Sequence, residues 1–385
     1  MDTTKPLALL GNLSPQAFMK RHWQKKPLLI RQAIPAFTPL LNRSKLFALA
    51  GQDGVESRLL IRDAARVAQK SAWTLKTGPL SRRALPSLKA HNWTLLVQGV
   101  DLHVPALREL MDQFRFLPDA RLDDVMVSFA TPGGGVGPHI DSYDVFLLQA
   151  HGTRRWRISR QKNLTLQAGA PLKLLRKFEP EQSFDLGPGD MLYLPPGYAH
   201  DGTALQECMT YSIGFRAPGR GEMARELLQR IADDVQDDMG NALYRDAAQE
   251  ATPAPAEIPA ALSGFAREAV LEIANHPQTL ARALGELLTE PKSNVWFDAA
   301  GAQAEGERHR RINGGLVLDR RSKMMFDTRH IFINGESFAA SGRDATLMRQ
   351  LANDRLLPGA ACAKVSNGAK SLLKDWIQAG WIHGT

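Results

Sequence analysis

Cysteine is nearly missing from this chain: Cys208 and Cys362 are the only two among 385 residues. That excludes a disulfide framework and points to a reducing compartment, the cytoplasm. Long apolar runs are missing too. No stretch of about eighteen apolar residues occurs, so no membrane-spanning helix is expected. The opening residues Met1 to Lys5 lack the basic and apolar regions of a secretory signal. No internal repeat is visible. What the chain has in excess is positive charge, 48 Lys and Arg against 40 Asp and Glu, for a net +8. Such a balance permits an anionic partner, nucleic acid or a nucleoprotein particle. The basic residues are scattered, however, and a solvated basic surface is the simpler reading.

With 44% hydrophobic residues, a chain of this length buries a large core and divides into two or three domains. Ser14 followed by Pro15 reads as a helix N-cap with proline at the first helical position, opening a helix to about Trp23. Short strands are expected at 28–31, 58–62 and 93–98, and an amphipathic helix from Val104 to Phe114. From Asp124 the pattern becomes many short strands broken by Gly and Pro: 125–130, 139–150, 154–159, 182–185, 191–194 and 208–215. Such punctuation suits an antiparallel barrel or double-sheet jelly roll, expected from about residue 90 to 216. After Pro218 helices take over, at 222–235, 258–274 and 277–288. The last hundred residues read as a small α+β unit, with strands at 311–318, 324–327 and 330–334 and helices at 344–352 and 369–379. The expected division is therefore a catalytic barrel with an N-terminal α/β extension over 1–216, a helical segment over 217–290 that suits dimerisation, and a winged-helix-like module over 291–385. For that module, docking or a structural role stands beside DNA binding.

The chemistry concentrates in two stretches. His139 and Asp141 stand two apart, so on a strand both side chains leave the same face. Sixty residues on, Gly189-Asp190 marks a tight turn, 191–194 a strand, and Pro195-Pro196-Gly197 a stop that re-aims His200 inward. Two histidines and one carboxylate make a three-donor set that leaves metal positions open, as in non-haem Fe(II) oxygenases; Zn(II), Mn(II) and Ni(II) suit the same donors. The discriminating feature is a cosubstrate site. Arg154, on the next strand-like segment, carries a permanent charge suited to gripping a carboxylate in a barrel. Ser128, on the strand before the glycine-rich loop, is placed to donate to the same carboxylate, with Thr210 and Ser212 as weaker candidates.

These residues resemble the JmjC-type 2-oxoglutarate oxygenases, in particular the cupin-like group that contains the ribosomal oxygenases. The matching stretches are 127–146, with its Thr-Pro-Gly-Gly-Gly-Val-Gly-Pro-His-Ile-Asp run, then 152–156, 186–200 and 211–216. The resemblance is motif-specific in the barrel and otherwise rests on the order and size of the segments. It implies a double-stranded β-helix carrying Fe(II) on His139, Asp141 and His200, with 2-oxoglutarate and O2 as cosubstrates and Ser128 and Arg154 on the far carboxylate. It further implies hydroxylation of an arginine β-carbon in a large-subunit ribosomal protein, and a homodimer formed through the helices after the barrel. On this footing Tyr143 and Asp144 flank the substrate channel, and Asp124 pairs with a substrate guanidinium. The iron ligands do not separate arginine from histidine hydroxylation, and two further alternatives stand: a metal-binding cupin enzyme that ignores 2-oxoglutarate, and a non-enzymatic ribosome- or nucleic-acid-binding module.

Overall fold

The computed structural model describes residues 2–63, 72–239, 242–298 and 314–385. The chain divides after Ala217 into two compact units. The first carries twelve described strands: β1 (Leu28–Ile30), β2 (Ser57–Arg62), β3 (Trp73–Thr77), β4 (Trp93–Val97), β5 (Leu122–Ala130), β6 (His139–Ile140), β7 (Asp144–His151), β8 (Arg154–Ser159), β9 (Gln182–Leu186), β10 (Met191–Leu194), β11 (Ala199–Ala204) and β12 (Cys208–Phe215). They form an eight-stranded sheet in the order β1-β10-β7-β12-β5-β4-β2-β3 and a four-stranded sheet in the order β6-β11-β8-β9. This is the jelly-roll arrangement of a double-stranded β-helix.

The larger sheet begins much earlier than residue 90. β1 pairs with β10, and β2 and β3 extend the sheet beyond β4. Apolar alternation on β7 explains how both faces are covered. Val145 and Leu147 turn toward the smaller sheet, while Phe146 and Leu148 turn toward the N-terminal extension. Helix α1 (Pro15–Arg21), capped by the Ser14 hydroxyl, drives Phe18 into that second face. There Phe18 meets Phe146 and Tyr193 at ring separations of 5.5 and 5.0 Å. Each such aromatic side chain taken out of water contributes about 2–3 kcal/mol, so the extension is bonded to the barrel wall. Helix α2 (Arg43–Ala50), which the sequence pattern did not reveal, packs Phe47 onto Trp93 and Phe129 in the same layer.

A single strand expected over 139–150 is in fact two. β6 ends at Ile140 and β7 starts at Asp144, so Asp141 lies in the bend between them. The cause is visible at Asp144, whose fully buried carboxylate points into the protein body. It accepts hydrogen bonds from Tyr193 Oη (2.6 Å), Arg121 Nη2 (3.0 Å) and Gln24 Nε2 (3.1 Å). A charge buried this deeply is tolerated only when so paired. Asp144 is therefore a structural anchor and does not flank a channel.

In the second unit, α4 (Arg220–Met239), α5 (Ala260–Asn275) and α6 (Pro277–Thr289) precede strands β13 (Gly315–Leu318), β14 (Met324–Phe326), β15 (His330–Ile333), β16 (Glu336–Ala339), β17 (Leu356–Pro358) and β18 (Ile382–Gly384), which alternate with α7 (Gly342–Asp354), α8 (Gly359–Cys362) and α9 (Asn367–Gln378). Residues 311–313 of the strand expected from Arg311 lie outside the described residues. β14, β15 and β16 form one small sheet and β17, β13 and β18 another. Helix α6 is seated on the first of them. Gly285 leaves room for the Phe332 ring, whose nearest atom would lie 2.3 Å from an added Cβ, and Ser337 Oγ donates to Glu286 Oε1 at 2.6 Å.

Candidate metal and cosubstrate site

The site is built on the smaller sheet. β6 and β11 run antiparallel with His139 directly opposite His200, so one register pair places both imidazoles on the inner face. Their rings are 4.2 Å apart between centroids. Asp141 follows one residue after β6 and is fixed by its own backbone: its carbonyl accepts the Gly197 N–H at 2.9 Å. The Pro195-Pro196-Gly197 turn therefore holds Asp141 as well as re-aiming His200. Asp141 Oδ2 lies 3.5 Å from His200 Nε2 and Oδ1 lies 3.9 Å from His139 Nε2. Donor atoms of all three residues fall within 4.8 Å of one another, the one such His/Cys/Asp/Glu group among the described residues.

The protonation states suit a divalent cation. His139 Nδ1 faces the Gly137 carbonyl at 2.8 Å and His200 Nδ1 faces the Tyr198 carbonyl at 3.0 Å. A ring nitrogen beside a carbonyl carries the proton, which leaves both Nε2 lone pairs aimed at the shared point. Burial, with the His139 imidazole beside it, holds His200 well below the ordinary histidine value, so it is neutral and ready to ligate. Two imidazoles and a carboxylate, with space on the remaining side, fit Fe(II) and similar ions.

That space is a cleft of about 420 Å³. Arg154, 4% exposed, enters it from β8 and donates from Nη1 to Ser128 Oγ at 3.2 Å. Its Nε and Nη2 atoms are buried without any partner. Ser128 also reaches toward the Thr210 carbonyl at 3.4 Å. An unpaired guanidinium edge in a closed cleft is costly unless an anion occupies it, so Arg154 and Ser128 fit a carboxylate well. Thr210 does not, because its hydroxyl is committed to Gln149 Oε1 at 2.8 Å. Ser212 lines the cleft beside Met126.

Tyr143 stands at the cleft and is 39% exposed. Asp124 continues the face of β5 that carries Met126 and Ser128, but it is buried and is not part of the cleft wall. Its carboxylate is taken by Gln98 Nε2, at 2.9 and 3.0 Å, and by the Gly99 N–H at 3.1 Å. Sequence reasoning missed several wall residues: Arg58, Leu60 and Leu75 from β2 and β3, Trp156 from β8, and Leu172 and Leu174 from the loop before β9. For Trp156 a signal existed, since it shares the inward alternation of Arg154 and Ile158.

Comparison with known proteins agrees with this geometry. The family model of the JmjC domain matches residues 109–223, and that of the ROXA-like winged helix matches 272–383. The chain is 38% identical over 280 residues to the ribosomal protein uL16 3-hydroxylase of Escherichia coli, covering 72% of each chain. It is 35% identical over 211 residues to a probable ribosomal oxygenase of Haemophilus influenzae, covering 54% of this chain and 50% of that one. Among solved structures, E. coli YcfD superposes with a TM-score of 0.83 at 31% identity, covering 96% of this chain and 97% of that one. A structure of YcfD, described as a ribosomal oxygenase in complex with cobalt and 2-oxoglutarate, superposes at 0.81 with 30% identity, covering 96% and 98%. A JmjC barrel followed by this particular winged helix, at such identity over most of both chains, places the protein in the JmjC-type ribosomal oxygenase family.

Proposed function

We propose that this chain is an Fe(II)- and 2-oxoglutarate-dependent protein hydroxylase that acts on an arginine side chain of a large-subunit ribosomal protein, at the β-carbon. The observation that carries the reading is the cleft itself, with a His-Asp-His donor set at one end and a buried arginine short of an anion at the other. The E. coli relative modifies uL16 and a related solved structure holds cobalt with 2-oxoglutarate, which makes uL16 the first candidate substrate. The β-carbon is the 3-position named for that relative.

In this reading His139, Asp141 and His200 hold the iron, while Arg154 and Ser128 hold the far carboxylate of 2-oxoglutarate. Bound iron supplies the oxidising chemistry: one atom of O2 goes to the substrate carbon as hydroxyl and the other to succinate, with loss of CO2. The protein's own residues do the positioning. Gly137 and Tyr198 carbonyls keep the imidazoles in one tautomer. Val145 and Leu147 give the cleft an apolar wall that excludes water. Tyr143 offers a hydroxyl at the mouth where a target side chain enters, whereas Asp124, committed to Gln98 and Gly99, does not reach it. A ribosomal-protein target places the enzyme with the translation machinery in the cytoplasm.

Purified protein supplied with Fe(II), ascorbate, 2-oxoglutarate and a uL16 peptide tests this by mass spectrometry. One added oxygen on an arginine, absent with Asp141→Ala, is the expected result. Succinate formation without any change in arginine peptides, but with oxygen added to histidine peptides, would reverse the substrate assignment.

The homodimer belongs to the same proposal. Helix α5 buries only Ile273, yet leaves Phe265, Val270 and Leu271 at 38, 59 and 49% exposure, while Leu228 on α4 is at 53%. A second copy is the natural cover for exposed apolar side chains of this size. Val270→Asp is expected to halve the mass measured by light scattering; a dimer of unchanged mass would refute this interface.

A further inference from the structure

Trp156 sits between the two ends of the cleft and has no role in the reading so far. On the inner face of the smaller sheet, three cross-strand pairs follow one another: Ile158 with His200, Trp156 with Gly202, and Arg154 with Ala204. The metal ligand, the tryptophan and the cosubstrate arginine thus occupy successive inward rows, spaced by roughly 7 Å along the strand. The indole is pinned there. A Cβ on Gly202 would lie 2.6 to 2.9 Å from Cζ3, Cη2 and Cε3 of Trp156, so only glycine opposite it leaves the ring its seat. With the six-membered edge laid on Gly202, the pyrrole edge is turned away from β11. The ring centroid is 5.9 Å from that of His200 and 5.7 Å from the Arg154 guanidinium carbon.

The indole Nε1–H is buried and has no hydrogen-bond partner, although Trp156 is only 4% exposed. A buried indole donor normally finds an acceptor. Arg154, in the adjacent row, leaves its Nε and Nη2 equally unpaired. Three orphaned donor nitrogens on two neighbouring inward residues form a donor set, and nothing in the wall answers it. Satisfied polar groups line the same barrel: Gln149 spends its amide on the His151 and Gly152 carbonyls and on Thr210. Thr94 Oγ1 and Tyr211 Oη are also buried without a partner, but neither lines the cleft; among the described residues of the cleft wall the deficit falls on Arg154 and Trp156.

We infer that Trp156 is a positioning residue for the cosubstrate, its indole N–H donating to the carboxylate that Arg154 and Ser128 hold while its ring forms the floor beneath the carbon chain. The inference rests on the proposed 2-oxoglutarate site and adds a donor to it. A hydrogen bond to a charged acceptor in a closed site is worth roughly a 10- to 100-fold change in affinity. The pinned ring adds preorganisation, since neither the indole nor the guanidinium stacked against it must be ordered at binding.

The test uses full-length protein loaded with Zn(II), which holds the site without turnover. Calorimetry of 2-oxoglutarate binding compares wild type with Trp156→Phe, which keeps an aromatic body over Gly202 and removes only the donor. A loss of affinity of roughly tenfold or more is expected. A second measurement needs no altered protein in the bound state. In a ¹H–¹⁵N spectrum of ¹⁵N-tryptophan-labelled wild type, the Trp156 indole peak, identified by its disappearance in Trp156→Phe, moves downfield on adding 2-oxoglutarate. Equal affinity of the two proteins, or an indole peak that stays in place while calorimetry registers binding, overturns the role of Trp156 and leaves the cosubstrate site standing. Absence of any binding to Zn(II)-loaded wild type would overturn the cosubstrate site itself.

Discussion

Arg154 and Arg321 are both largely withdrawn from water, one in each unit, and each lies against an aromatic ring. Arg321 is 15% exposed over Phe297, and all its nitrogens are spent. Its Nε and Nη2 grip Asp319 at 2.8 and 3.1 Å, and Nη1 reaches the Trp296 carbonyl at 2.7 Å. His383 Nε2 completes the cluster at 2.8 Å from Asp319 Oδ2. Arg154, against Trp156, spends one nitrogen on Ser128 and leaves two unanswered. The same side chain, similarly buried, serves opposite ends. Where its donors are all matched by its own chain it fastens the fold; where they are not, the mismatch reserves a place for something else.

The contrast can be broken in order of expected effect. Arg154→Ala removes the anchor proposed for the cosubstrate carboxylate, and the 2-oxoglutarate concentration needed for half-maximal succinate formation should rise by about 100-fold, with little change in melting temperature. An unchanged requirement would mean that another residue grips the cosubstrate. Asp319→Asn should do the reverse, lowering the stability of the second unit by about 2 kcal/mol while leaving that requirement alone. A calorimetric scan in which the variant melts like wild type would show the cluster to be ornamental.

Acid sharpens the second case. Burial alone would raise the Asp319 pKa, but hydrogen bonds from His383, from the Arg321 side chain and from the Arg321 N–H outweigh it and hold it well below the usual 3.8. A depressed carboxylate contributes stability that is fully present above its unfolded value and is lost as pH falls below it toward the folded one. The difference in melting temperature between wild type and Asp319→Asn should accordingly shrink below about pH 4. Smallest of all is Arg155→Ala. Arg155 neighbours Arg154 on β8 but points to solvent and pairs with exposed Asp185 at 2.7 Å, so the cosubstrate requirement should not move. A rise there would mean that charge alone, without burial, sets the affinity.

Much of this was legible in the sequence. The donor set could be read because its residues carry their own punctuation: a glycine-rich entry before His139 and a Pro-Pro-Gly turn before His200. Arg154 was legible from its place on the following strand. What escaped notice depended on partners distant in sequence. β11 reads Ala-His-Asp-Gly-Thr-Ala, with no apolar run to announce a strand; its ladder with β8 makes it one. The break between β6 and β7 was hidden because apolar residues continue on both sides of it, while Asp144 is turned inward by Tyr193, Arg121 and Gln24, none of them a sequence neighbour. Asp124 shows the same limit. Its position on β5 was readable, but Gln98, which lies just past the end of the adjoining β4 and occupies its carboxylate, was not.

The loop that leads into β6 has a consequence for how such a chain can change. Surface loops usually accept insertions at small thermodynamic cost. β6, however, is two residues long, and Gly133 and Gly137 ahead of it sit at φ of +76° and +79°, with Gly135 packed so closely that a Cβ would come within 2.4 Å of the Gly202 carbonyl. A strand that short has no length over which to recover its register, and a slip of one residue turns His139 to the opposite face. The span from Pro132 to Pro138 therefore behaves as a ruler: natural variants may lengthen or shorten the chain elsewhere, but a change of one residue in this loop removes the site without touching any residue in it.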